Sequence, residues 1–132
     1  MEILRVDGLK FSYPNQLKKA LNNINFSIDE GDFVLICGES GCGKSTLLRH
    51  LKPELSPHGQ VSGDIYYYSQ KINDYSSKQL ASEIGYVLQN PDSQIVTDKV
   101  WHELAFGLEN MGLDTQSIRL RVAEMASFFG IQ

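Results

Sequence analysis

Apolar and polar residues alternate from the start of the chain. Between Ile3 and Tyr13, the side chains Leu9, Phe11 and Tyr13 are interleaved with Lys10 and Ser12, which predicts a strand with one buried face. Pro14 cannot continue a paired strand. Ile24, Phe26 and Ile28 alternate again and predict a second strand, followed by a turn at Glu30-Gly31-Asp32. Phe33 to Cys37 is apolar at every position, the pattern of a central, parallel strand covered on both faces. Residues 38–43 form a glycine-rich bend, and Lys44 to about Leu51 should be helical, with a stop near Pro53. Residues 56–63 read as loop, and Ile65 to Tyr68 with the residues after them as a tyrosine-rich strand region. Ser76 with Gln79 three residues on has the form of a capping box, opening a short helix that ends at Gly85. "YVLQ", residues 86–89, reads as a short buried strand. Val100, Leu104, Leu108 and Met111 make one helical stripe, and Ile118, Val122, Met125 and Phe129 a second, entered at Asp114 and ended at Gly130. The order predicts an α/β domain: antiparallel strands, a strand–loop–helix, more β structure, then helices.

Composition changes this picture little. With 42% hydrophobic and 21% charged residues the chain can build an ordinary globular core. Its longest apolar run, Phe33 to Cys37, is far short of the roughly 20 residues of a membrane helix, and "MEILRVDGLK" lacks the basic-then-apolar order of a secretory signal. A net charge of −4 speaks against broad nucleic-acid binding. Cys37 and Cys42, one in the apolar run and one in the bend, make neither a disulfide framework nor a zinc site and suggest a reducing cytoplasm, with Cys37 expected to be buried. His50, His58 and His102 are scattered, whereas metal sites need clustered ligands.

The bend carries the chemistry. Gly38-Glu39-Ser40-Gly41-Cys42-Gly43-Lys44-Ser45 matches G-x-x-x-x-G-K-[ST] in full, after an apolar run and before a helix. The glycines let successive backbone N–H groups converge on one anionic centre, and the start of the helix adds its positive end. In this motif Lys44 would reach the β- and γ-phosphates, the Ser45 hydroxyl would bind Mg²⁺, and Thr46 could add a hydroxyl near the α-phosphate. The loop is shared by several nucleotide-handling classes, small kinases and GTPases among them. The N-K-x-D guanine reader of a GTPase does not occur. A second stretch, residues 84–110, contains Gln89 at the end of the expected "YVLQ" strand, 45 residues after Lys44. Its amide could supply an oxygen to Mg²⁺ and an N–H to water.

Together these stretches resemble the ATP-binding cassette ATPases. "GESGCGKSTLL" resembles their Walker A segment, Gln89 falls where their Q-loop glutamine falls, and "KFSYP" resembles the adenine-stacking A-loop with Tyr13 as the aromatic. "QNPDSQIVTDKVWHELAFG" resembles the energy-coupling-factor and cobalt-type importers, matching QNPxxQ and a helix ending in AFG at Gln89, Asn90, Pro91, Gln94, Ala105, Phe106 and Gly107. Trp101-His102 departs from the acidic pair often found there. The resemblance implies a phosphate-loop ATPase core, with residues 1–95 forming the β subdomain and core up to the Q-loop and residues 96–132 the start of a helical subdomain. It implies ATP and Mg²⁺ as ligands, a transmembrane subunit and a second cassette as partners, and a peripheral place at the cytoplasmic face of the membrane. It also implies an LSGGQ signature, a Walker B Asp-Glu and a switch histidine, none of which these 132 residues contain. The chain as given is therefore expected to correspond to the N-terminal part of a cassette. Alone, it is expected to bind nucleotide without turning it over, and to be poorly stable or self-associated where Phe33 to Cys37 lacks neighbouring strands. The segment after Gln89, with Ile95, Val96 and Trp101, is expected to dock the membrane partner.

Overall fold

A computed structural model describes residues 1–131. It falls into two compact units, Met1–Ile84 and Gly85–Gln132, each with its own core. The first is built on an antiparallel sheet of order β2-β1-β3-β4. Strand β1 (Glu2–Ser12) pairs with β2 (Leu21–Asp29) on one side and β3 (Gln60–Tyr67) on the other, and the short β4 (Gln70–Lys71) closes the far edge. Helix α1 (Lys44–His50) supplies Leu47 to the core formed by Val6, Leu9, Phe11 and Leu21.

Val6 and Leu9 are both buried although three residues apart, a spacing that strict alternation forbids. The register of β1 shifts between them against both neighbours, and Gly8 adopts φ 59°. The side chain of Asn25 fills the gap in the ladder by accepting the Gly8 N–H at 2.8 Å. One extra residue thus turns both halves of the strand to the same core.

The expected strand at Phe33 to Cys37 is absent from the sheet among the described residues. Phe33 is 96% and Leu35 80% exposed, Cys37 is exposed as well, and only Ile36 packs on the core. A strand is defined by a neighbour that completes its hydrogen bonds, and none of the described residues provides one here. The "YVLQ" strand fails for the same reason, with Val87 78% exposed. Residues 56–63, read as loop, are partly strand, because β3 begins at Gln60 and pairs Val61 with Phe11.

Helix α2 (Ser77–Glu83) begins where its cap predicts: the Ser76 hydroxyl accepts the Gln79 N–H at 3.2 Å. The reciprocal half of the capping box is replaced, since the Gln79 amide donates forward to Glu83. The second unit is a helical hairpin of α3 (Val100–Asn110) and α4 (Thr115–Phe129), packed through Ala105, Ile118 and Val122. Asp114 caps α4, accepting the Ser117 N–H at 3.2 Å, and Gly130 ends it at φ 69°. The outer part of the predicted stripe, Met125 and Phe129, is exposed.

Candidate functional site

The bend between the apolar run and α1 wraps around its own lysine. Lys44 Nζ donates to the Gly38 carbonyl at 2.6 Å and the Glu39 carbonyl at 2.9 Å, and lies 3.6 Å from Cys42 Sγ. Gly43, the residue before α1, has φ 102°, a value that strains any residue with a side chain. A Cβ there would also sit 2.8 Å from the Ala20 carbonyl oxygen and 3.2 Å from Leu21 Cδ2. Glycine at 43 therefore serves two needs at once: the turn into the helix, and its close approach to the chain ahead of β2. Gly41 is left-handed too, at φ 82°. The first helical hydrogen bond runs from Leu47 N–H to Gly43 O at 2.9 Å. The amides at the head of α1 precede it and have no partner within the helix. Ser45 is exposed. The bend thus brings together the Lys44 ammonium, the exposed Ser45 hydroxyl, helix-head amides without helical partners and a backbone turn that a side chain at 43 would obstruct.

Thr46 is buried behind this bend, with its Oγ1 2.8 Å from the Tyr13 hydroxyl. Tyr13, half-buried, meets Phe11 edge-on at 4.9 Å between ring centres. Beside it lies an open cleft of about 660 Å³ lined by Ser12, Tyr13, Pro14, Asn15, Gln16 and Gln60 among others. The structure thus joins Tyr13 directly to the helix that carries the phosphate motif. His50, which the sequence offers only as a scattered histidine, is 5% exposed and bonded to the Thr46 carbonyl at 2.8 Å. Its spacing of four residues from Thr46 on a helix was the available signal.

Gln89 lies in the second unit, exposed, at a bend that follows "YVL". The loop around it is held by the other glutamine of QNPxxQ. Gln94 Oε1 accepts the Leu88 N–H at 2.7 Å, and Gln94 Nε2 donates to the Tyr86 carbonyl at 3.1 Å. One amide thereby satisfies both senses of an otherwise unpaired backbone. Downstream, Glu103 on α3 accepts the Thr97 N–H at 2.9 Å, the Thr97 hydroxyl at 2.9 Å and the Val96 N–H at 3.1 Å. The Thr97 amide and hydroxyl, and then the Val96 amide, hold its carboxyl below the usual carboxylate range. These bonds present Ile95 and Val96 outward, and Trp101 is 44% exposed nearby on α3. The sequence pattern includes Gln94 and Glu103 but does not disclose their hydrogen bonds, which depend on where the loop turns.

Residues 21–130 match the family model for the ABC transporter. The chain belongs to the ABC transporter family. Its fold is the phosphate-loop ATPase fold of that family, with an antiparallel sheet and helices. The ABC transporter protein cbiO1 of Clostridium perfringens, part of the complex cbiONQ, superimposes with a TM-score of 0.83 at 35% identity over 99% of this chain and 51% of its own. A Bacillus cereus relative assigned as an ABC transporter ATP-binding protein is 46% identical over 96% of this chain and 23% of its own length. An energy-coupling factor transporter ATP-binding protein of Acetivibrio thermocellus is 35% identical over 97% of this chain and 46% of its own. The chain thus spans about half the length of cbiO1 and of the Acetivibrio protein, and under a quarter of the Bacillus protein. Among the described residues no helix is long and apolar enough to cross a membrane.

Proposed function

We propose that this chain is the nucleotide-gripping part of an ATP-binding subunit of an energy-coupling-factor-type importer, which holds Mg-ATP to energise uptake of a vitamin or metal ion. The observation that carries the reading is the bend at Gly38 to Ser45, with Lys44 turned into its centre and Gly43 in a conformation and at a spacing that only glycine meets. In this reading the backbone from Gly38 through Glu39, Ser40, Gly41, Cys42 and Gly43 cradles the phosphates. Lys44 neutralises the β- and γ-phosphates, and Thr46 contacts the α-phosphate. Ser45 and Gln89 supply oxygens to Mg²⁺, Gln89 also orienting water, and Tyr13 is the platform for adenine. Residues 1–95 are then the nucleotide-binding core up to the Q-loop, and residues 96–132 the start of a helical subdomain. The match to the energy-coupling factor protein and to cbiO1 supports the importer subclass.

The same reading gives partners. Ile95, Val96 and Trp101, exposed beside a loop braced by Glu103, form the surface for a transmembrane subunit, which places the chain at the cytoplasmic face of the membrane. A second cassette completes the site. Phe33 to Cys37 pairs with strands of the kind that the longer relatives have room for.

The test is titration of the chain with Mg-ATP. Lys44→Ala removes the one full positive charge of the motif and should weaken binding at least about tenfold, the effect of a lost charge-assisted bond. Equal curves for the two proteins, or no binding by the unsubstituted chain, would refute the assignment.

A further inference from the structure

Thr46 is gripped from both sides, and only one of the two grips can reach the phosphate chemistry. His50 Nδ1 lies 2.8 Å from the Thr46 carbonyl. A carbonyl only accepts, so Nδ1 carries the proton and this bond anchors backbone. The Tyr13 hydroxyl, 33 residues away in sequence, instead meets the Thr46 side chain, 2.8 Å from Oγ1. Phe11, 1% exposed, sets its ring edge-on to both clamps, 4.9 Å from Tyr13 and 4.6 Å from His50. The tyrosine is therefore wedged in place by packing, with its hydroxyl fixed on Thr46.

We propose that Tyr13 is a positioning residue that acts through its hydroxyl as well as its ring, by turning the Thr46 O–H toward the phosphates, so that the base platform and the phosphate grip are coupled through one hydrogen bond. The proposal rests on the Mg-ATP reading above. A threonine hydroxyl has one proton and two lone pairs. When Tyr13 donates into one lone pair, the Thr46 proton is left free to donate elsewhere. When Thr46 donates to Tyr13, lone pairs face whatever lies in the bend. Phosphate oxygens only accept, so a bound polyphosphate favours the first arrangement, and the population shifts to it. A phenol is a better donor than an aliphatic alcohol, and donors in series polarise one another. Stacking alone would use the ring and ignore the hydroxyl.

The two roles separate when the base is removed from the ligand. The chain and its Tyr13→Phe, Tyr13→Leu, Thr46→Ser, Thr46→Val and Tyr13→Phe/Thr46→Val variants are titrated with Mg-ATP and with magnesium tripolyphosphate, which has no base. Tyr13→Phe should weaken both ligands equally, by about three- to tenfold, as loss of one hydrogen bond predicts. Tyr13→Leu should weaken Mg-ATP more than tripolyphosphate. Thr46→Ser keeps the hydroxyl and should stay within about twofold of the parent. On the Thr46→Val background, Tyr13→Phe should cost less than about twofold more, because the bond it removes is already gone. Tripolyphosphate binding unchanged in Tyr13→Phe, or additive losses in the double variant, overturns the coupling. So does a loss of affinity that merely follows a loss of thermal stability across the set. Binding that Lys44→Ala abolishes while Tyr13→Phe leaves it normal refutes the coupling alone; a parent chain that binds neither ligand refutes the Mg-ATP reading with it.

Discussion

Cys42 and Cys37 show how far one residue's surroundings can depart from its sequence pattern. Both thiols are exposed, although Cys37 closes a run of five apolar residues that reads as buried. An apolar run signals burial only if something covers it. Cys42 sits inside the bend, with Sγ 3.6 Å from Lys44 Nζ and so close to Gly38 that a Cβ on that glycine would lie 2.7 Å away. Brief maleimide treatment should therefore label both cysteines, and Mg-ATP should protect Cys42 while leaving Cys37 reactive. Mass spectrometry of the two peptides reads the outcome. Equal labelling of Cys42 with and without nucleotide would count against its place in the grip.

At the scale of elements, Glu103 couples α3 to the loop before it. Its pKa is lowered from the ordinary value of 4.5, chiefly by the Thr97 amide, so the folded state favours the carboxylate. The stabilisation is complete above that ordinary value and is lost as the pH falls toward and through the lowered one. Thermal unfolding should thus move to lower temperature on acidification below about pH 4.5. Glu103→Gln should flatten that dependence and speed hydrogen exchange at Val96 and Thr97; an unchanged pH profile would show that the anchor contributes nothing. The local signals were legible in the sequence. Ser76, Asp114 and Gly130 bound their helices where capping chemistry says they should, because a cap involves only the next few residues. The glycine-rich bend was legible for the same reason, since Gly38 to Ser45 is contiguous. Non-local features were not legible. The bulge that buries both Val6 and Leu9 depends on Asn25 of the neighbouring strand, and the strand identity of residues 33–37 and 86–89 depends on a partner rather than on their own composition. Gln94 and Glu103 could be named from the pattern, but their bonds to Tyr86, Leu88, Val96 and Thr97 required the fold.

For the whole molecule, the dominant fact is uncovered apolar surface. Phe33, Leu35, Val87, Ile95, Val96, Phe128 and Phe129 are all exposed, on both units. Apolar side chains left this open to water favour association where they lie next to one another. The 132-residue chain is therefore expected to be poorly stable or to self-associate with rising concentration, and light scattering across a dilution series, beside a thermal melt, checks it. A monomer at every concentration with a sharp cooperative melt would show that these faces are tolerated. The sheet order has a different kind of consequence, one of timing. Strand β1 is synthesised first yet lies between β2 and β3, so it must wait on the ribosome for neighbours. The core of Val6, Leu9, Phe11, Leu21 and Leu47 is complete in sequence once Leu47 has been made. At ~5–20 residues per second, Gln89 follows only about 2 to 8 seconds later. The residues of the bend are thus translated seconds ahead of the glutamine proposed to serve the same nucleotide.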